Sequence, residues 1–175
     1  MCVEEGNSKE MDHSFAVSVE WTGNRGTGTS GHRDFGRDNT LTTPGRPPLL
    51  GSAARAFHGD ADRWNPEETL MAALVECHLL SYLYLAAKHG IVVEAYTDEA
   101  TGSIRTEGEG GHFTEVTLRP RVTISSGDPA LAQSLHDEAE RICFIAASVN
   151  FPVHHEPVTE VASGPALSAE SEAGA

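Results

Sequence analysis

Apolar and polar residues begin to alternate just after Asp12. In residues 13–21, His-Ser-Phe-Ala-Val-Ser-Val-Glu-Trp, the side chains of Phe15, Val17, Val19 and Trp21 share one face, the period of a half-buried strand. Thr22-Gly23-Asn24-Arg25-Gly26 reads as a turn, and residues 27–35 and 37–43 read as two more short strands around Gly36. Pro44, Gly45, Pro47, Pro48, Gly51 and Gly59 then punctuate a connection over 44–64. Connections of that length are usually functional, interface-forming or disordered. Leu49, Leu50, Phe57 and Trp64 within it argue against disorder.

The period changes at Asn65. Asn65 suits an N-cap, Pro66 suits the first helical position, and Glu67 and Glu68 fall in the first turn. Leu70, Ala73, Leu74, Cys77, Leu80, Ser81 and Tyr84 recur at helical spacing, which predicts a helix to about Lys88 with Gly90 as its left-handed terminator. So apolar a helix is expected to be buried on most sides, at a domain centre or a subunit interface. Residues 91–106 are rich in β-branched residues and predict a strand; the turn Glu107-Gly108-Glu109-Gly110-Gly111 leads to a second over 113–125, making a long hairpin. Asp128-Pro129 starts a second helix with Leu131, Leu135, Ala139, Ile142 and Cys143 on one stripe, and Asn150 and Pro152 end the pattern. Residues 153–161 read as a last edge strand, with Pro157 favouring an edge. The order βββαββαβ is α+β. Residues 1–11 and 163–175 read as flexible tails around one domain, 12–162.

Composition narrows the classes. The 175 residues carry 12 Lys+Arg against 26 Asp+Glu, a net charge of −14. Nucleic-acid grooves and anionic membrane surfaces need clustered cations, so neither partner is expected. Glu, His or Lys interrupts the apolar stretches before a spanning length, and the acidic start does not resemble a secretory signal. A cytoplasmic location is the default. Three cysteines, Cys2, Cys77 and Cys143, with no CxxC pair, suggest neither a disulfide framework nor a zinc ribbon.

Several motifs carry competing readings. Gly26-Thr27-Gly28-Thr29-Ser30-Gly31 matches GxGxxG, but residues 32–37 are a poor helix, and a dinucleotide needs helix-end N–H groups there. A glycine-rich turn is the better reading. His154 and His155 are adjacent on an expected strand and point to opposite faces, and His78 lies about 100° around a helix from Cys77; neither pair suits one metal. Cys77 and Cys143 sit in apolar patterns, where buried inert thiols are the plain reading. The alternative needs a cation, because a thiol near pKa 8.5 is only slightly ionised at pH 7. Glu67 precedes Cys77 by ten residues, about 15 Å along a regular helix, so a carboxylate there reaches the thiol only through a long arginine.

Trp64-Asn65-Pro66-Glu67-Glu68-Thr69-Leu70-Met71-Ala72-Ala73-Leu74-Val75-Glu76-Cys77 resembles the NPE(E/Q)L-x-A-A-x-x-x-C helix of the OsmC/Ohr family, named for osmotically inducible protein C and organic hydroperoxide resistance protein. Glu140-Arg141-Ile142-Cys143 resembles the segment of the family's second redox cysteine, and residues 21–26 its Gly-rich turn. The resemblance spans about residues 12–162. It implies an OsmC-like α+β fold of antiparallel sheets with two central helices, in an intertwined homodimer. It implies a peroxidase that reduces organic hydroperoxides and uses an external dithiol reductant, with no metal, haem or flavin cofactor. Cys77 is then the peroxidatic cysteine and Cys143 the resolving one. Glu67 orients an arginine beside the thiolate: Arg25 by the turn, Arg37 by a following strand, or Arg33. The chain departs from the family's Cys-Pro-x-Ser with Cys143-Phe144-Ile145-Ala146, and its 44–64 connection is longer. A non-catalytic OsmC-like binding protein, a thiol sensor and a metal-binding protein are the other readings.

Overall fold

The computed structural model describes residues 11–162. The expected tails 1–11 and 163–175, apart from Met11, lie outside the described residues, as does Cys2. The chain divides into two compact units, with the boundary between Glu67 and Glu68.

The first unit holds an antiparallel sheet in the order β1 (Ser18–Trp21), β2 (Asn39–Thr42), β3 (Leu49–Gly51). Residues 27–35 do not form the expected strand. Gly26 and Gly28 take positive φ, and Asn24 Oδ1 accepts N–H bonds from both, at 2.8 and 3.1 Å. The chain therefore turns locally, and the GxGxxG run opens no helix. A Cβ on Gly23 would run into the Gly36 carbonyl, so the two loops close only around glycine there. Trp21 Nε1 donates to Gly36 O at 2.9 Å, and its ring meets Phe35 edge-on. Phe15, Val17 and Val19, expected on a half-buried face, stay exposed. The 44–64 connection is ordered: it contributes β3 and a 3-10 turn, Arg55–Phe57, and pairs back through Ser52 N–H to Trp64 O at 2.8 Å.

The second unit contains most of α1 (Pro66–Lys88), which ends at the left-handed Gly90 as its sequence predicts. The long hairpin forms, but both arms break. The first arm is β4 (Val92–Asp98) and β5 (Thr101–Glu107); the second is β6 (Gly110–Leu118) and β7 (Pro120–Ser126). Pro120 has no N–H to continue the ladder, and the Arg119 N–H donates to Asp98 Oδ1 at 2.7 Å instead of across the strands. The pairs β5·β6 and β4·β7 therefore enter two different sheets.

α2 (Pro129–Ile142) starts where Asp128 Oδ1 accepts the Ala130 N–H at 2.9 Å. It ends at Ile142, eight residues before the expected stop at Asn150, and a 3-10 turn, Ala146–Ser148, follows. The last strand divides at Pro157 into β8 (Val153–His155), parallel to β6, and β9 (Val158–Val161), parallel to β7. Both are edge strands. The fold is α+β with antiparallel and mixed sheets.

One core cluster joins Tyr82, Leu85 and Ala86 of α1 to Val122 and Ile124 of β7 and Ala132, Leu135 and Ala139 of α2. A second gathers Leu74, Val116 and Leu118. By length and composition alone α1 is apolar enough to cross a membrane, contrary to the reading of its interruptions. Nor is it buried on most sides. Its inner stripe is Leu74, His78, Tyr82 and Leu85, whereas Leu80 and Tyr84 are exposed at 59% and 61%.

Candidate functional site

The site is built where α1 meets the end of α2. Cys77 projects partly buried from the middle of α1. Cys143 caps α2: its backbone turns extended, and its N–H donates to Glu140 O at 3.2 Å. The helix breaks at this extended residue, and Ser148 Oγ closes the following turn on Phe144 O at 2.7 Å. Cys143 is 1% exposed, and its side chain shares a hydrogen bond with Cys77. The structure thus brings together the two cysteines that the sequence singled out.

Burial pushes the Cys143 thiol up to about 11, and the hydrogen bond to Cys77 adds to the rise. Backbone N–H groups of Ala146 and Ile145 oppose it; that of Ala146 lies 3.4 Å from Sγ. Cys143 is therefore a protonated donor at neutral pH, and it must give up its proton when it attacks another sulfur.

Glu67 and the three arginines belong to the first unit. Glu67 sits in the first turn of α1 with Oε2 buried and without a hydrogen-bond partner. The Arg37 guanidinium donates to Phe35 O and His32 O, both at 2.9 Å, and lies 4.4 Å over the Phe35 ring. Arg37 precedes β2 rather than standing in a strand. Arg25 Nη1 makes a long 3.5 Å contact to Arg33 O.

A buried histidine cluster beside the cysteines went unforeseen. His78 Nε2 and His136 Nδ1 are 3.1 Å apart. The His155 ring packs 4.3 Å from His78, and Tyr82 stacks 4.1 Å from His136. Tyr82 donates to Ala132 O at 3.2 Å. His155 turns inward to the cluster while His154 turns out toward Glu115, the strand alternation expected of that pair. Burial holds His78 down at about 3 and His136 at about 4, and it lowers His155 as well. The neighbouring rings reinforce the shift on His78 and His136. The signal for this cluster was spacing: His78 and Tyr82 stand four apart on α1, and His136 stands seven before Cys143. Among the described residues, no three His, Cys, Asp or Glu side chains are arranged to hold a metal ion.

Comparison with known proteins sets this geometry in a family. The OsmC family model, described as OsmC-like protein, matches residues 59–157. A solved OsmC-like protein of unknown function from Vibrio cholerae is 32% identical, with a TM-score of 0.76 over 84% of this chain and all of that one. The uncharacterised protein YmaD of Bacillus subtilis is 26% identical over 145 residues, 79% of this chain and 87% of its own. An organic hydroperoxide resistance protein from Legionella pneumophila, 19% identical over 86% of this chain and all of its own, shares the fold with a TM-score of 0.61. On the family match and the Vibrio cholerae relative, this chain belongs to the OsmC-like family.

Proposed function

We propose that this protein is a cysteine-based peroxidase that reduces organic hydroperoxides through a two-cysteine cycle. The observation that carries the reading is the hydrogen-bonded contact of Cys77 with Cys143, two thiols from separate helices. The fold shared with a protein named for organic hydroperoxide resistance supports the substrate class.

In this reading the Cys77 thiolate attacks one peroxide oxygen. The S–O bond forms as the O–O bond breaks, and the alkoxide takes up a proton and leaves as alcohol. The Cys143 thiol then attacks the sulfenic acid; the S–S bond forms, the S–O bond breaks, and hydroxide leaves with the thiol proton as water. An external dithiol reduces the disulfide by exchange, which suits a reducing, cytoplasmic setting. The more accessible Cys77 is the peroxidatic sulfur and the enclosed Cys143 the resolving one. Glu67 orients the cation that holds the thiolate, supplied by Arg25, Arg33 or Arg37. The active form is a homodimer with a site where two chains meet.

The test is consumption of an alkyl hydroperoxide with a dithiol as reductant, together with stoichiometric trapping of sulfenate. Turnover that Cys77→Ser abolishes bears the reading out. Unchanged peroxide with no trapped sulfenate overturns it, leaving a non-catalytic binding protein.

A further inference from the structure

α1 and α2 are joined at two neighbouring levels. At one, Cys77 meets Cys143. At the other, the residue after Cys77 meets the residue two helical turns before Cys143, as His78 Nε2 and His136 Nδ1 at 3.1 Å. Both histidines are fully enclosed, at 0% and 1% exposure. We propose that the His78–His136 hydrogen bond is a positioning clamp that holds the Cys77 and Cys143 sulfurs in register for disulfide closure. For its biological use this rests on the proposed two-thiol cycle; its test does not.

A single shared hydrogen atom suffices for the clamp. One ring donates and the other accepts, so at most one ring can be charged before the two nitrogens repel. The surroundings keep the rings neutral. Tyr82 from α1 stacks on His136 and excludes water. His155 from β8 packs on His78, and its Nδ1 lies 3.4 Å from Glu140 of α2. Asp98 from β4 and Asp137 from α2 favour charge on His155, and His154 opposes it. Asp137 also favours charge on His136, and His155 opposes it. Tyr96 of β4 donates to Asp98, which also accepts the Arg119 N–H. The acids thus act mainly on His155, at the outer end of the cluster, and the deep pair stays uncharged through neutral pH.

The clamp matters because closing a disulfide requires the two α-carbons to stand about 4.4–6.8 Å apart with matched side-chain directions. Cys143 sits in extended backbone just past the last turn of α2, where a helix end frays readily. A buried hydrogen bond on the same face, two turns back, fixes how α2 lies on α1.

The experiment measures the effective concentration of the Cys77–Cys143 pair against glutathione in the full chain carrying Cys2→Ser. One glutathione disulfide is consumed and two glutathione thiols are released per protein disulfide formed, and a selenol catalyst brings exchange to equilibrium at acid pH. His136→Leu and His78→Leu should lower the effective concentration at least tenfold. His136→Asn, which keeps a hydrogen-bonding group at the Nδ1 position, should stay within about threefold of the parent, because a hydrogen bond and not the ring carries the effect. The ratio of the parent value to that of His136→Asn should be flat between pH 8 and pH 5, because thiol ionisation acts on both alike. Leu variants equal to the parent, an Asn variant as weak as the Leu variants, or a break near pH 6.5 in that ratio would each overturn the clamp. If the Leu variants do not fold, His136→Asn and the pH profile of that ratio decide. A high parental effective concentration with no peroxide consumption sinks the peroxidase reading and leaves the clamp standing.

Discussion

The Ala146 N–H lies 3.4 Å from the sulfur of Cys143. Two residues of opposite tendency thus share one turn: an amide that favours a thiolate, and an enclosure that forbids it. Enclosure wins, and the thiol is pushed up to about 11. Iodoacetamide at pH 7 should therefore modify Cys77 at least ten times faster than Cys143, because the thiolate is the nucleophile. Peptide mapping by mass spectrometry measures both rates. Equal rates would mean that the end of α2 opens readily.

A single equivalent of an alkyl hydroperoxide should join Cys77 to Cys143 within one chain, with Cys2 untouched. Cys143→Ser should stop at a sulfenic acid on residue 77 that a dione probe traps, and Cys77→Ser should trap nothing. Intact-mass and peptide analysis distinguish these. A bridge between Cys2 residues would remove the two-cysteine cycle.

Glu67 is partly buried, and one of its carboxylate oxygens is enclosed without a hydrogen-bond partner. Glu67→Gln removes the charge and keeps the shape. Unfolding free energy should change by no more than about 1 kcal/mol, the worth of a charge at a helix start. Peroxidase turnover should fall at least tenfold. Equal and modest losses in both would reduce Glu67 to a residue of the helix start.

Histidines buried in neutral form make stability depend on pH, and the sign follows from their lowered values. Below about pH 6.5 the unfolded chain takes up protons that the folded chain refuses, so stability falls as pH falls. His78, at about 3, and His136, at about 4, should each remove about 2 kcal/mol between pH 6.5 and pH 5, at ~1.4 kcal/mol per pH unit. The loss from each continues until pH reaches its folded value. Urea denaturation at pH 7 and pH 5 measures it, and a His78→Gln/His136→Asn double variant should lose much less. Identical pH dependence in both proteins would mean that the rings titrate normally.

Assembly should cover the apolar residues that one chain leaves outside. Leu80 and Tyr84 on α1 are well exposed, and Phe144, beside Cys143, is 82% exposed. In the first unit Phe15, Val17 and Val19 are exposed too. A homodimer burying more than about 2,000 Å², typical of obligate interfaces, is the expected outcome. Light scattering at micromolar concentration should give twice the chain mass. A monomer that turns over at full rate would place the site within one chain.

Helix starts and stops were legible because they are local. Pro66, Gly90 and Asp128 act through their own backbone angles and nearest amides, and both helices begin where those residues predict. The α+β order and the candidate cysteines were legible for the same reason: periodicity and motif spacing are carried by neighbours in the chain. Strand ends were less so. The break at Arg119 has a local sign in Pro120, but the matching break at residues 99–100 depends on a bond between Asp98 and Arg119, 21 residues apart, which no local pattern encodes.

The histidine cluster was decided only by packing. Hydropathy placed Leu80 and Tyr84 inside α1 and took no account of His78. Once α2 and β8 supply His136 and His155, the stripe Leu74–His78–Tyr82–Leu85 becomes the one that can be buried, with His78 Nε2 paired to His136 Nδ1 and the Tyr82 hydroxyl to Ala132 O, although the second nitrogen of each of these two rings is left without a partner. The sequence by itself determined the family, the helices and the two thiols. The tertiary structure decided which thiol is enclosed and which polar groups lie beside it, because a buried polar side chain is tolerated only where another element delivers its hydrogen-bond partner.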